Sequence, residues 1–121
     1  MKEKRIFPRI ESDWPLFCET EQGRIKIGYI KNVSLSGALL FFINDYELDP
    51  ERHRFTLLVR NDQLTPSEVT LSGLREWTHV EEKTIMLGLV LEELEKKQRS
   101  AFVRFLSRSD KLHVEAVLIE R

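Results

Sequence analysis

The alternation of apolar and polar residues predicts a chain built mainly from short strands. Apolar residues recur at every second position in several segments, which are separated by turn-forming residues such as Thr65, Pro66 and Ser67. Ile30 breaks the alternation of the second segment, which predicts a bulge near Gly28. Many short strands without helices between them are typical of an antiparallel sandwich or barrel. The predicted strands are 14–20, 24–34, 37–43, 55–60, 69–77 and 84–91.

The period changes near the C-terminus, where residues 92–109 are predicted to form a helix. Such a helix would cap one open end of a barrel. Glu92 and Glu93 near its start, with Arg104 and Arg108 near its end, would complement the helix dipole. Residues 112–120 alternate again and predict an extra strand, which would either add to the sheet or mediate self-association. The apolar face of the predicted helix consists of Leu94, Ala101, Phe102, Phe105 and Leu106.

The length and composition predict one globular domain over residues 1–121. The chain is 41% hydrophobic and 32% charged, with a net charge of −1, so any anion site must be built locally. Cys18 is the only cysteine in the sequence, which excludes an internal disulfide and fits a reducing compartment. No stretch approaches the roughly 20 apolar residues of a membrane span, and no secretory signal is visible. We therefore expect a cytoplasmic protein with no membrane span.

The segment from Asn32 to Gly37 combines short polar side chains with a glycine. Asn32, Ser34 and Ser36 alternate with apolar residues, which predicts extended chain. Gly37 ends the pattern before an apolar run, and a glycine there is typical of a bulge, a tight turn or a close approach of a ligand. Because these polar groups are short and can be held rigidly, we expect them to face a ligand.

The N-terminal residues carry the second set of candidate binding groups. Residues 1–12 are charged and contain Pro8, so they are predicted to form an arm without regular structure. Arg5 and Arg9 lie four residues apart, and Lys4 directly precedes the first of them. A guanidinium offers two parallel donors, which match the geometry of phosphate and of the Hoogsteen edge of guanine.

Taken together, the Arg-x-x-x-Arg pair and the Asn-x-Ser-x-x-Gly segment resemble the PilZ family, whose members bind the bacterial second messenger cyclic di-GMP. The resemblance covers residues 4–108 and implies an all-β fold with a C-terminal helix, a small antiparallel six- to seven-stranded PilZ-like β-barrel. The barrel is expected over residues 13–91. The residues that carry the resemblance are Arg5, Arg9, Asn32, Ser34 and Gly37.

The resemblance also implies how the ligand is held. Cyclic di-GMP would lie against residues 32–37, clasped by an arm that is mobile without ligand and ordered with it. Lys4 favours an intercalated ligand dimer over a single molecule, and Asn32 stands where the family often has Asp, which keeps an acceptor but loses the charge. Binding would be relayed to an unidentified effector protein by a monomer or weak homodimer that needs no cofactor. The implied ligand-binding residues are Lys4, Arg5, Arg9, Asn32, Ser34, Ser36 and Gly37.

The sequence also bears on three other classes of function. The three histidines are dispersed without metal-ligand spacing, and Ser34 has no nearby base, so we expect no enzymatic activity. A barrel that binds single-stranded nucleic acid would need a basic groove with exposed aromatic residues, whereas the net charge is near zero and most aromatics here follow the phase of a core. The alternative that stays open is a PilZ-like adaptor that acts through protein–protein contacts without nucleotide. Both motifs are complete in this sequence, which argues against a domain that has lost nucleotide binding.

Overall fold

The computed structural model describes residues 9–43, 46–108 and 113–119. The strands in these ranges close into a barrel with the order β1-β2-β3-β6-β5-β4-β7. Neighbouring strands are antiparallel except β1 and β7, which run parallel. The predicted small β-barrel with a C-terminal helix is confirmed. Its elements are β1 (Ile10–Thr20), β2 (Gly23–Val33), β3 (Gly37–Phe42), β4 (Arg54–Arg60), β5 (Glu68–Glu81), β6 (Thr84–Leu91), α1 (Lys96–Ser107) and β7 (Glu115–Ile119).

The hydrophobic core lies inside the barrel and follows the two-residue period of the strands. Leu40 of β3 pairs with Leu87 of β6, and both side chains are fully buried. Helix α1 adds Phe102 and Phe105 to the same core, again fully buried. Each such side chain stabilises the fold by about 1.5–3 kcal/mol relative to an exposed one. The other side of each strand is therefore left for the outer surface of the barrel.

The predicted bulge near Gly28 is confirmed. The register between β1 and β2 skips Ile27, so this residue is an extra one in β2. A Cβ atom on Gly28 would stand 1.9 Å from the carbonyl oxygen of Phe41, which only glycine avoids. Because of the bulge Ile27 is buried in the core, while Tyr29 pairs with Phe41 on the outer surface.

The predicted boundary of the N-terminal arm is wrong by three residues. Strand β1 begins at Ile10, which pairs with Val33, and Glu11 pairs with Asn32. The alternation of apolar and polar residues does not show this start, because the register shifts after Glu11 and Asp13 adopts a left-handed φ of 47°. Residues 10–12 therefore belong to β1 and not to the predicted arm. The prediction for residues 1–8 falls outside the described ranges.

The helix begins later than predicted, at Lys96 instead of residue 92. Glu95 is the N-cap residue with an extended backbone, and its side chain makes no capping hydrogen bond. The predicted complement to the dipole is wrong at the start, because Glu92 and Glu93 precede the helix and its first turn contains no acidic residue, but it is confirmed at the end, where Arg104 lies in the last turn. Two lysine residues occupy the first turn instead.

The predicted extra strand is an integral part of the barrel. Strand β7 lies between β1 and β4, and the barrel would be open at that seam without it. The expectation that residues 13–91 suffice for the barrel is therefore wrong, and 115–119 must be included. The seam needs this strand because β1 and β4 do not pair with each other.

Candidate functional site

The loop between β2 and β3 is shaped by the buried hydroxyl group of Ser34. This oxygen accepts hydrogen bonds from the backbone N–H groups of Ser36 and Gly37, both at 3.2 Å. The backbone N–H of Ser34 in turn donates to the carbonyl oxygen of Gly37 at 2.8 Å. Residues 34–36 therefore form a tight turn, and the prediction that the whole motif is extended is wrong beyond Val33.

Strand β6 fixes the other side of this turn. The backbone N–H of Leu91 donates to the carbonyl oxygen of Ser36 at 3.0 Å. A Cβ atom on Gly37 would stand 3.2 Å from the carbonyl oxygen of Leu89 and 4.0 Å from Nη2 of Arg9. Gly37 is thus packed between β6 and the Arg9 guanidinium, with little room for a side chain.

Arg9 lies at the edge formed by the turn and the end of β2. Its Nη1 atom is 3.5 Å from Oδ1 of Asn32, at the outer limit of a hydrogen bond. The pairing of Glu11 with Asn32 explains this position, because it sets the start of β1 beside the end of β2. The residue is exposed, and among the described residues only Asn32 accepts a hydrogen bond from its guanidinium.

The predicted ligand residues inside the described ranges meet at this edge, which we call the Asn32 edge and define by Arg9, Asn32, Ser34, Ser36 and Gly37. Ser36 is exposed, Asn32 is half-buried, and Ser34 is only 2% exposed. The structure therefore brings together one residue of the arginine pair and the whole Asn-x-Ser-x-x-Gly segment. The predictions for Lys4 and Arg5 fall on residues outside the described ranges.

Trp77 is a candidate site residue that sequence reasoning missed. The sheet register places Asn32 beside Leu39, Leu39 beside Gly88, and Gly88 beside Trp77, all on the outer surface. The Trp77 indole lies flat over Gly88, where an added Cβ would stand 2.3 Å from its Nε1 atom, and it is 42% exposed. The signal in the sequence was Gly88 inside an otherwise apolar strand, which is typical of close packing by a neighbour.

The outer surface next to this row is also rich in aromatic side chains. Tyr29 and Phe41 stack with their ring centroids 5.3 Å apart, and Met86 lies beside Phe41 in register. Most aromatics are predicted to follow the core phase, and Tyr29, Phe41 and Trp77 are exceptions to it. The bulge at Ile27 is the reason in β2, because it reverses which side of the strand faces inward.

A groove of about 280 Å³ opens on the other side of the turn. Its walls come from the turn, from the end of β6 and from the start of α1. A ligand at the Asn32 edge would therefore lie close to the helix as well as to the sheet. The lining residues are Leu35, Ser36, Leu91, Glu93, Leu94 and Arg99.

The described charges around the edge are balanced, because Arg9 and Lys31 are opposed by Glu11, which pairs with Asn32, and by Asp13. Arg9 is accompanied by Lys31, whose Nζ atom lies 3.3 Å from Oδ1 of Asp13. This hydrogen bond, together with the nearby carboxylates, raises the pKa of Lys31 above its ordinary value. Lys31 is thus a cation at any physiological pH, although Asp13 neutralises part of its field.

Neither a known family nor a known relative assigns this site. No protein-family model matches the chain, and no curated protein matches it either. Across the described residues, no group of three or more His, Cys, Asp and Glu side chains is arranged to hold a metal ion. In the same ranges, no helix combines the length and apolar character needed to cross a membrane.

Proposed function

We propose that this protein is a cytoplasmic receptor of the PilZ type that binds cyclic di-GMP at the Asn32 edge. The observation that carries the proposal is the meeting of Arg9 with Asn32 and Gly37, because these belong to two motifs separated by more than twenty residues of sequence. A cation, an amide and a bare backbone at one edge are the groups that a cyclic dinucleotide requires. Neither motif alone would support this function.

Each group has a chemical role in this proposal. The exposed guanidinium of Arg9 donates two parallel hydrogen bonds to a phosphate or to N7 and O6 of guanine. The Asn32 amide, now weakly engaged with Arg9, turns its oxygen to guanine N1–H. Gly37, which has no side chain, lets the turn, β6 and the Arg9 guanidinium lie this close together. Charged hydrogen bonds contribute about 1.5–3 kcal/mol each, so a few of them support micromolar binding, about −8 kcal/mol.

The two serines divide the work between structure and ligand. The Ser34 oxygen already accepts two backbone hydrogen bonds in a buried position, so it holds the turn. Ser36 is exposed, and its hydroxyl group lies 3.3 Å from that of Ser34. Ser36 is therefore the hydroxyl group that contacts phosphate, and Ser34 acts by fixing where Ser36 and Gly37 stand.

The remaining contacts complete the clasp and relay binding to an effector protein. Lys4 and Arg5 supply further cations from the N-terminal side, and Lys4 favours two intercalated ligand molecules. Because the groove behind the turn reaches Leu94 and Arg99, a shift of the turn on binding changes the packing at the start of α1. The change in this surface is what the effector protein recognises.

Isothermal titration calorimetry of cyclic di-GMP with the native protein and with Arg9→Ala tests the proposal. We expect micromolar binding by the native protein and a loss of about tenfold or more in Arg9→Ala, since one bidentate charged contact is removed. Arg108→Ala is the matched control, because Arg108 is exposed at the far end of α1, and it should bind as the native protein does. Linear GMP and a single-stranded oligonucleotide should not compete.

A nucleotide-free adaptor is the second candidate, favoured by the exposed apolar side chains of the outer sheet. Leu74, Trp77 and Val90 are each between 42% and 49% exposed on neighbouring strands. Such a patch also suits a protein partner. The same titration distinguishes the two candidates. If the native protein does not bind cyclic di-GMP at near-millimolar concentration, only the adaptor function is supported.

A further inference from the structure

The solvent-facing side of α1 is basic and contains no acidic residue. Five of the chain's 19 basic residues lie in residues 96–108, against none of its 20 acidic residues. The rest of the chain therefore has 14 basic and 20 acidic residues, an excess of six negative charges. Charge is segregated in a molecule whose net charge is −1. The basic residues are Lys96, Lys97, Arg99, Arg104 and Arg108.

The two lysines of this set are placed where they do not help the helix, whereas Arg104 in the last turn suits the dipole. Lys96 and Lys97 stand in the first turn, at the end where the unpaired N–H groups already concentrate positive charge. Arg104 and Arg108 are four residues apart and repel each other. Residues that break a local rule without a gain in the fold tend to occupy functional positions.

The cations are also available to a partner. Arg104 donates to the carbonyl oxygen of Thr65 at 2.9 Å, but no other described residue pairs with the side chains of Lys96, Lys97 or Arg108. Val103 lies on the same side of the helix and is 43% exposed. We call this surface the basic face and define it by Lys96, Lys97, Val103, Arg104 and Arg108.

We infer that the basic face docks an acidic segment of a partner protein. Cations around one exposed apolar side chain match a segment with several carboxylates and one apolar residue. The inference deepens the proposed relay to an effector, although the basic face does not need the nucleotide in order to bind.

The size of the surface favours a protein segment over a longer polyanion. A 12-residue helix is about 18 Å long, so a nucleic acid or an anionic membrane would extend beyond it onto the acidic remainder of the molecule. Insertion into a bilayer is also disfavoured, because Phe102 and Phe105 on the apolar face of α1 are fully buried in the barrel. A short acidic segment covers the cations and meets less of that remainder, chiefly Glu93 and Glu95 just before the helix.

Fluorescence anisotropy with a labelled acidic peptide tests this inference. The peptide is an amphipathic helix of about 14 residues, about 21 Å long, with glutamate on one face around a central leucine. Vesicles of phosphatidylcholine with phosphatidylserine, and a mixed-sequence single-stranded DNA, are titrated in parallel. We expect the native protein to bind the peptide with a dissociation constant of about 10 µM at low salt, weakening as salt is added.

The decisive variant reverses two charges, Lys96→Glu with Lys97→Glu. We expect at least about tenfold weaker peptide binding together with a melting temperature about 3 °C higher, because glutamate suits the first turn. The control, Lys26→Glu with Lys83→Glu, changes the net charge equally at exposed positions outside α1 and should keep native binding. Arg9→Ala should also bind the peptide normally, which separates this inference from the nucleotide proposal.

Two results would overturn the inference. One is a peptide affinity that the Lys96→Glu and Lys97→Glu variant leaves unchanged, or a native protein that does not bind the peptide detectably. The other is tighter binding to the vesicles or to the DNA than to the peptide, since the surface would then serve a membrane or a nucleic acid.

Discussion

The Ser34 hydroxyl group is the acceptor for two backbone N–H groups in a place that water barely reaches. The sequence makes both Ser34 and Ser36 candidate ligand residues, although only Ser34 belongs to the Asn-x-Ser-x-x-Gly motif. The turn separates them, because it rotates one side chain inward and leaves the other at the surface. Local hydrogen bonding of a serine to its own turn is known as a tendency, but its choice between two serines depends on the strands that flank the turn.

Substitution of the two serines should therefore have opposite consequences. Ser34→Ala leaves the N–H groups of Ser36 and Gly37 without an acceptor, so we expect a loss of about 1–3 kcal/mol in the free energy of unfolding. Ser36→Ala should change stability by less than about 0.5 kcal/mol but weaken cyclic di-GMP binding. Urea unfolding and calorimetry on both variants measure the two effects. Equal stability losses would contradict the division of roles.

At the scale of elements, the sequence predicts strands well where the two-residue period is unbroken. The predicted end of β1 at residue 20 and the predicted bounds of β6 at residues 84–91 agree with the structure. The start of β1 was missed because a register shift after Glu11 and the left-handed Asp13 disturb the period. The start of α1 was placed early because Leu94 has the right helical phase, although it packs on the core from the segment before the helix.

The helix should stabilise the barrel through its buried aromatic side chains. Phe105→Ala removes a fully buried ring and is expected to lower the free energy of unfolding by about 3–5 kcal/mol. Val103→Ala is the matched control two residues away, because Val103 is 43% exposed and should cost less than about 0.5 kcal/mol. Denaturant unfolding monitored by circular dichroism distinguishes them. A small loss in the free energy of unfolding for Phe105→Ala would mean that this end of the barrel does not depend on α1.

At the scale of the whole molecule, the strand order decides which residues become neighbours. The order β3-β6-β5 is not sequential, so the row from Asn32 through Leu39 and Gly88 to Trp77 cannot be read from local patterns. The resemblance to PilZ proteins predicted that the arm and the Asn-x-Ser-x-x-Gly segment meet. The resemblance does not include Trp77, because no spacing in the sequence relates that residue to either motif.

This row predicts a contribution of Trp77 to nucleotide binding. Three strand spacings separate Trp77 from Asn32, about 14 Å, which is within reach of a cyclic dinucleotide or an intercalated pair. Stacking of a base on an indole contributes about 1–3 kcal/mol, so Trp77→Ala should weaken cyclic di-GMP binding by about fivefold or more. Trp77→Phe should recover part of this loss. A tryptophan fluorescence that does not change at saturating ligand would contradict a contact between Trp77 and the nucleotide.

The parallel pairing of β1 with β7 joins residues 16–18 to residues 116–118, which come from opposite ends of the described chain. During synthesis on the ribosome, the seam between β1 and β4 must wait until the last strand emerges. A nascent chain would until then present two unpaired strand edges, which chaperones or a second copy can occupy. Because closure depends on such distant contacts, we expect refolding on the order of milliseconds to seconds rather than microseconds.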